Sequence, residues 1–280
     1  MAESVAYLLI YHGSTDPRSE QAATSLAQQF AARILHSPLP AESASRWELF
    51  PDSAATTAPS IPPALPLVAV AALESNPLSL HQQIIQFGQR FLQTRNTLTG
   101  RIKLLPLFLL PGMHVMEDLP REIGQAAQEL DASIALELCP YLGSHPRLRR
   151  ILTEQMAPLP AEAWILLAHG SRRAGANQPI EALADHLGAI AAYWSTAPKL
   201  ETRLQELVEA GCCQIGVLPY FLFAGGITDA VNRQAQAFSQ GCPNVTIHLR
   251  PPLANGAALA DLLVDLATTA DSTTPAPLQS

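Results

Sequence analysis

Short apolar runs alternate with amphipathic stretches along most of the chain. Val5–Tyr11 reads as a buried strand, whereas Arg18–Leu35 sets Leu26, Phe30 and Ile34 on one helical face. The same alternation predicts strands at Leu67–Leu73, Lys103–Leu109 and Ser133–Leu138. It predicts helices between and after them at Leu78–Thr94, Val115–Leu130 and Pro146–Met156. A second series follows, with strands at Trp164–Ala168, Gln214–Phe221 and Val245–Leu249. Its helices are expected at Ile180–Ala191, Leu200–Ala210, Thr228–Ser239 and Gly256–Ala267. Strands separated by helices imply mostly parallel pairing.

Two stretches break the pattern. Ser37–Pro66 carries seven prolines among Ala, Ser and Thr, a composition that neither continues a helix nor packs a core, and it reads as a surface insertion. The polar, Pro-containing stretch from Thr268 to Ser280 is expected to be a disordered tail. The segment APLPA at 157–161 reads as a linker. The chain therefore divides into a first half at 1–156, with an insertion at 37–66, and a second half at 162–267.

The halves repeat one another. HGS at His12 returns at His169, LPLFLLPG from Leu105 returns as LPYFLFAG from Leu218, and CPYLGSHPRLRRIL from Cys139 parallels RPPLANGAALADLL from Arg250. The fold expectation is α/β: two tandem flavodoxin-like halves, each a four-stranded, mostly parallel sheet flanked by helices. In the order 2-1-3-4 the winding reverses between strands 1 and 3, and ligands bind beyond the carboxyl ends of the strands at such a point.

That topology gives His12 a partner. His12 ends the first strand and His114 follows the third, so two imidazoles about a hundred residues apart should face one another. Glu74 ends the neighbouring second strand. Two His and one carboxylate suit a borderline divalent metal such as Fe²⁺, Co²⁺ or Ni²⁺, and suit proton transfer near neutral pH. In the second half His169 is kept, but Ser195 falls where Glu74 stands and Ile227 where His114 stands. Only the first half is expected to be active.

Composition narrows the classes further. The formal charge of −7 over 280 residues argues against nucleic acid or an anionic membrane as partner. No apolar run reaches the ~20 residues of a membrane span, and no basic segment precedes an apolar one at the N-terminus, so a cytoplasmic protein is expected. The four cysteines form no C-x-x-C pair, so no iron–sulfur cluster is expected, and the absence of a GxxxxGK[ST] loop points away from ATP.

LLIYHGSTDPRS, LESNPLSLHQQI, LPLFLLPGMHVMEDLP and LPYFLFAGGITDAV together resemble the long CbiX or SirB type of sirohydrochlorin chelatase, within the class II chelatases. The resemblance covers nearly the whole chain outside the insertion and the tail. It implies an ATP-independent lyase that inserts Co²⁺ or Fe²⁺ into sirohydrochlorin, for cobalamin or sirohaem. Its HGS and GxHV histidines, implied in metal binding and proton removal, map to His12 and His114; Glu74 rests on the shorter LE-x-x-PL phrase. The substrate carries eight rim carboxylates, for which Arg18, Arg172 and Arg173 are candidate partners. Gly13 and Ser14 would keep the loop tight against the ring, and Met113 would line its apolar face. Some long relatives add a His-rich stretch and a C-terminal cysteine motif; this chain has neither. The alternatives are a non-catalytic tetrapyrrole or metal carrier and a chelatase for another divalent metal such as Ni²⁺. Two fused halves make a monomer the expectation.

Overall fold

The computed structural model describes residues 4–35, 66–130, 133–255 and 257–269. The expected insertion at 37–66, Pro66 apart, and the tail beyond residue 269 lie outside the described residues. In the first half, strands β1 (Val5–Tyr11), β2 (Leu67–Ala72), β3 (Gly100–Pro106) and β4 (Ile134–Leu138) alternate with helices α1 (Pro17–Ile34), α2 (Leu80–Arg95), α3 (Leu119–Glu129) and α4 (Arg147–Met156). The second half runs β5 (Ala163–Ala168), α5 (Gln178–Leu187), β6 (Ile190–Tyr193), α6 (Leu200–Glu209), β7 (Gln214–Pro219), α7 (Gly226–Gly241), β8 (Thr246–Leu249) and α8 (Ala258–Thr269).

Both sheets are four-stranded, wholly parallel and ordered alike, β2-β1-β3-β4 and β6-β5-β7-β8. The expected winding reversal therefore lies between β1 and β3, and again between β5 and β7.

Four elements differ locally from expectation. The helix expected at Ile180–Ala191 stops at Leu187, because Gly188 adopts a left-handed cap (φ 66°) and its N–H satisfies the last carbonyls; Ile190–Tyr193 is then free to pair as β6. The strand expected at Lys103–Leu109 ends at Pro106, three residues earlier. The helix expected from Val115 begins instead as a five-residue π turn, His114–Asp118, which continues into α3. The last helix extends through Thr268 and Thr269, residues expected in the tail.

Side chains on successive strand residues point to opposite faces. Ala6, Leu8, Ile10, Ile102 and Leu104 pack outward under α2 and α3, through Ile84, Phe91 and Leu119. Leu9, Tyr11, Leu105 and Leu107 face the other way, into a core shared with Trp164, Leu166 and Leu218 of the second sheet. The far face of that sheet, Ile165, Leu167, Ile215 and Val217, packs under α6 and α7. The shared layer holds α1, α4, α5 and α8.

In that layer the final helices are exchanged. α8 of the second half packs on α1 and β3 of the first, and α4 of the first half packs on α5 and β7 of the second. Polar contacts fix the exchange. Arg33 of α1 meets Asp261 of α8 at 2.6 Å, and Lys103, only 2% exposed, donates from β3 to the Ala267 carbonyl at 2.6 Å. A cation at the carbonyl end of a helix satisfies an orphan acceptor and complements the dipole. No helix among the described residues is long and apolar enough to cross a membrane.

Candidate functional site

β1 delivers His12 to the cleft at its carboxyl end. Beyond the last strand pair, the ladder continues for two residues: Leu73 N–H donates to Tyr11 O at 2.9 Å and Glu74 N–H to His12 O at 2.8 Å. This continuation places Glu74 beside His12. It also brings the two backbones together, and Gly13 is required for that approach. Its φ is 92°, and a Cβ there would lie 1.9 Å from the Glu74 carbonyl oxygen. Ser75, next to Glu74, holds a left-handed conformation at φ 59°, strained for a residue with a side chain.

The following loop is built to start α1. Ser14 Oγ accepts from Asp16 N–H at 3.0 Å, Asp16 Oδ1 accepts from Arg18 N–H at 3.0 Å as the N-cap, and Pro17 opens the helix. Ser14 therefore shapes the loop, as Gly13 does.

His114 arrives from β3. Phe108, between Pro106 and the π turn, packs near both imidazoles, with ring centroids 6.5 Å from His12 and 6.3 Å from His114. The π turn sets His114 Nδ1 2.8 Å from Asp118 Oδ2, and Asp118 Oδ1 accepts from Arg121 at 2.8 Å. The hydrogen bond from His114, reinforced by Arg121, holds the Asp118 carboxyl below the usual carboxylate range.

These contacts assign the tautomers. His12 Nδ1 lies 3.1 Å from Gly13 O, which only accepts, and His114 Nδ1 faces an ionised carboxylate. Both Nδ1 atoms therefore carry hydrogen. Both Nε2 lone pairs point into the cleft, 3.2 Å apart, with the rings nearly perpendicular at 89°. Glu74 Oε2 is 3.9 Å from His12 Nδ1, and ligand atoms of His12, Glu74 and His114 all lie within 4.8 Å of one another. Two lone pairs at 3.2 Å repel unless they share a proton or a cation. At metal–imidazole bond lengths of ~2.0–2.1 Å, one ion can reach both. The side chains of His12 and Glu74 are 52% and 53% exposed, so the group is open to solvent and to a large ligand.

The other expected site residues are placed as follows. Met113 stands 56% exposed beside His114, and Met116, absent from the expectation, stands 64% exposed on the same turn. Arg172 and Arg173 are exposed on the second HGS loop, their side chains without a partner among the described residues. Arg18, expected to meet a substrate carboxylate, is committed elsewhere. It pairs with Asp16 at 2.6 Å and with Asp229 of α7 at 2.7 Å, binding the first HGS loop to the second half. Hydrogen bonds from Arg18 hold both carboxyls below their ordinary range.

The second half repeats the backbone but keeps only the histidine of the three clustered side chains. Ser195 N–H donates to His169 O at 2.8 Å, as Glu74 does to His12, and Ser195 Oγ donates back to Gly170 O at 2.9 Å. Ile227 lies in the first turn of α7 and packs with the second-half core. Partial desolvation, then the nearby His12 and Lys199, hold the His169 imidazole below its ordinary pKa.

Sequence reasoning missed Asp118, Phe108 and Met116. Asp118 was detectable as the residue one turn after His114 on an expected helix. Phe108 was hidden by the overlong third strand.

The chain matches the CbiX family model twice, over residues 65–159 and 163–270. No curated protein matches. Among solved structures, SirB from Bacillus subtilis with Fe³⁺ is 18% identical, with a TM-score of 0.69 and 95% of each chain covered. SirB from Bacillus subtilis subspecies spizizenii in complex with cobalt is 19% identical, with a TM-score of 0.60 and 96% of each chain covered. CbiX, described as the terminal enzyme for biosynthesis of siroheme in denitrifying bacteria, is 19% identical, with a TM-score of 0.58 over 94% of this chain and 98% of that one. At these identities the likeness is one of fold. The first family match begins beyond β1 and α1, yet β1 is hydrogen-bonded on both sides within the same sheet. With both halves matched over most of their length, this chain belongs to the CbiX family.

Proposed function

We propose that the chain is an ATP-independent sirohydrochlorin chelatase that inserts Co²⁺ or Fe²⁺ with release of two protons. The observation that carries this reading is the pair of imidazole Nε2 atoms 3.2 Å apart, with a carboxylate beside them. Family membership and the solved structures with Fe³⁺ and cobalt support it.

Insertion requires a divalent ion beside the ring and acceptors for two pyrrole N–H protons. A neutral imidazole serves either need, but one lone pair cannot serve both at once. His12 and His114 hold the arriving ion through Nε2. As the ion passes to the ring nitrogens those lone pairs are freed, and each accepts a proton. Asp118 and Gly13 O support the resulting imidazolium ions through Nδ1–H. Glu74 balances the ion's charge and, being exposed, passes protons to water. Met113 and Met116 offer polarizable, apolar surface to one face of the ring. Arg172 and Arg173 are the proposed partners of its rim carboxylates, bidentate where geometry allows. Both halves of the cleft come from one chain, so the reading needs only a monomer.

The test is an anaerobic mixture of the protein, sirohydrochlorin and Co²⁺ or Fe²⁺, followed by the absorption of the ring. Multiple turnovers are expected. Stoichiometric binding without turnover would instead show a carrier. The relative kcat/KM for Co²⁺, Fe²⁺ and Ni²⁺ then identifies the metal.

A further inference from the structure

We propose that the second half carries a separate carboxylate-binding subsite built on Arg250. The ends of β7 and β8, with α7, enclose a cavity of about 310 Å³ lined by Pro219, Thr228, Asn232, Arg250, Pro251 and Pro252, with Val231 and Leu249. Among the described residues no acidic side chain lines it. Arg250 Nε is buried there without a hydrogen-bond partner, and no ion pair engages its guanidinium among the described residues.

An Arg side chain stays charged when buried. Leaving a buried donor unsatisfied is unfavourable, and more so for a charged group. A guanidinium in a cavity without a counter-charge therefore favours an oxyanion, and its planar fork matches a carboxylate. The neighbouring groups sharpen the choice. Pro251 and Pro252 have no N–H to offer. Thr228 Oγ is used within the α7 cap, donating to Gly225 O at 2.8 Å and accepting from Gly225 N–H at 2.9 Å. Asn232 Nδ2 gives one hydrogen to Thr228 O at 3.0 Å and keeps the other. One guanidinium and one amide hydrogen suit a single carboxylate.

The duplication places this subsite. Arg250 N–H donates to Val217 O at 2.9 Å, as Cys139 N–H does to Leu104 O at 2.9 Å, so Cys139 stands in the first half where Arg250 stands in the second. The first half has metal ligands and no cation at that position. The second has the cation and keeps only the histidine of the three clustered side chains.

The carboxylate has two possible sources: the rim of the tetrapyrrole, which rests on the function proposed above, or a small free carboxylate, which does not. The experiment uses the full chain and malonate as probe. Calorimetry compares malonate binding to the unaltered protein, R250Q and R250K, and steady-state assays give KM and kcat for sirohydrochlorin. The expected result is malonate binding lost in R250Q and partly kept in R250K. A KM raised tenfold or more in R250Q at unchanged kcat identifies the rim as source. An unchanged KM with lost malonate binding identifies a free carboxylate. Failure of the unaltered chain to bind malonate, together with an unchanged KM in R250Q, overturns the subsite. Malonate binding by His114→Ala, which the proposed function expects to be inactive, keeps the two readings separate. If R250Q does not fold, competition by malonate against sirohydrochlorin in the unaltered enzyme decides for the rim, and malonate binding without competition for the free ligand. Malonate binding by R250K as tight as by the unaltered protein, or no malonate binding by the unaltered protein, overturns the subsite in that case.

Discussion

Asp118 determines which nitrogen of His114 faces the cleft. It takes the Nδ1 hydrogen at 2.8 Å and is itself held by Arg121. Such outer partners typically govern metal affinity or activity by 10–100-fold. Asp118→Asn removes the charge that supports imidazolium and permits the other tautomer. It should lower kcat for metal insertion by about 10–100-fold while leaving the thermal midpoint within a few degrees of the parent. A variant with full kcat would remove Asp118 from the account. Gly13 makes the complementary case, because the site depends on a close approach rather than on a functional group. A methyl 1.9 Å from the Glu74 carbonyl cannot be accommodated without moving one of the two loops. Gly13→Ala should weaken Co²⁺ binding far more than it lowers global stability. Calorimetric titration with the metal alone, beside a denaturant curve, checks this; unchanged metal affinity would show that the loop spacing does not matter.

At the scale of elements, the sheet order and the facing histidines were legible because period and repetition agree. A buried strand ending in HGS occurs twice, and parallel order 2-1-3-4 leaves one place for His114. What escaped detection was local termination. Leu183, Leu187, Ile190 and Ala191 hold apolar positions on both sides of Gly188, so hydrophobic spacing alone runs the helix through the cap. The structure ends it at a left-handed glycine. Gly188→Ala should therefore cost about 1–2 kcal/mol in a urea transition through backbone strain. Among the described residues no atom beyond the adjoining backbone lies within 4 Å of the added Cβ, so steric overlap contributes little. A neutral effect would contradict the cap. The π turn was equally invisible, since His114–Asp118 has an ordinary helical composition. Its geometry matters, because it carries His114 and Asp118 and leaves Met113 and Met116 exposed. π turns recur at functional sites.

At the scale of the molecule, the halves divided at 157–161 are not independent bodies. Exchange of α4 and α8 gives each sheet a helix from the other half, and one apolar core runs from Leu9 through Leu263 to Trp164. This exchange could not be read from the sequence, because the apolar face of a last helix does not itself specify which sheet it covers. A single cooperative unfolding transition is expected, with coincident near- and far-ultraviolet signals; two separated transitions would contradict the shared core. Arg18 ties the halves near the cleft through Asp16 and Asp229, both with depressed pKa values. Depressed carboxyls stabilise the fold above their unfolded value of about 4, and that stability is lost as pH falls through the lower folded values. The stability difference between the parent and Arg18→Gln should thus be present at pH 7 and vanish in strong acid. An equal difference at both ends would show that the pairing contributes nothing.

Two copies of one motif should carry one site. Single-turnover insertion of Co²⁺ into sirohydrochlorin, compared in His12→Ala, His114→Ala and His169→Ala, tests it most directly. The rate should fall by about 100-fold or more in the first two, in the range of lost general acid–base groups. The rate should stay within a few-fold of the parent in the third. Normal insertion by either of the first two, or an equal loss in all three, would contradict it.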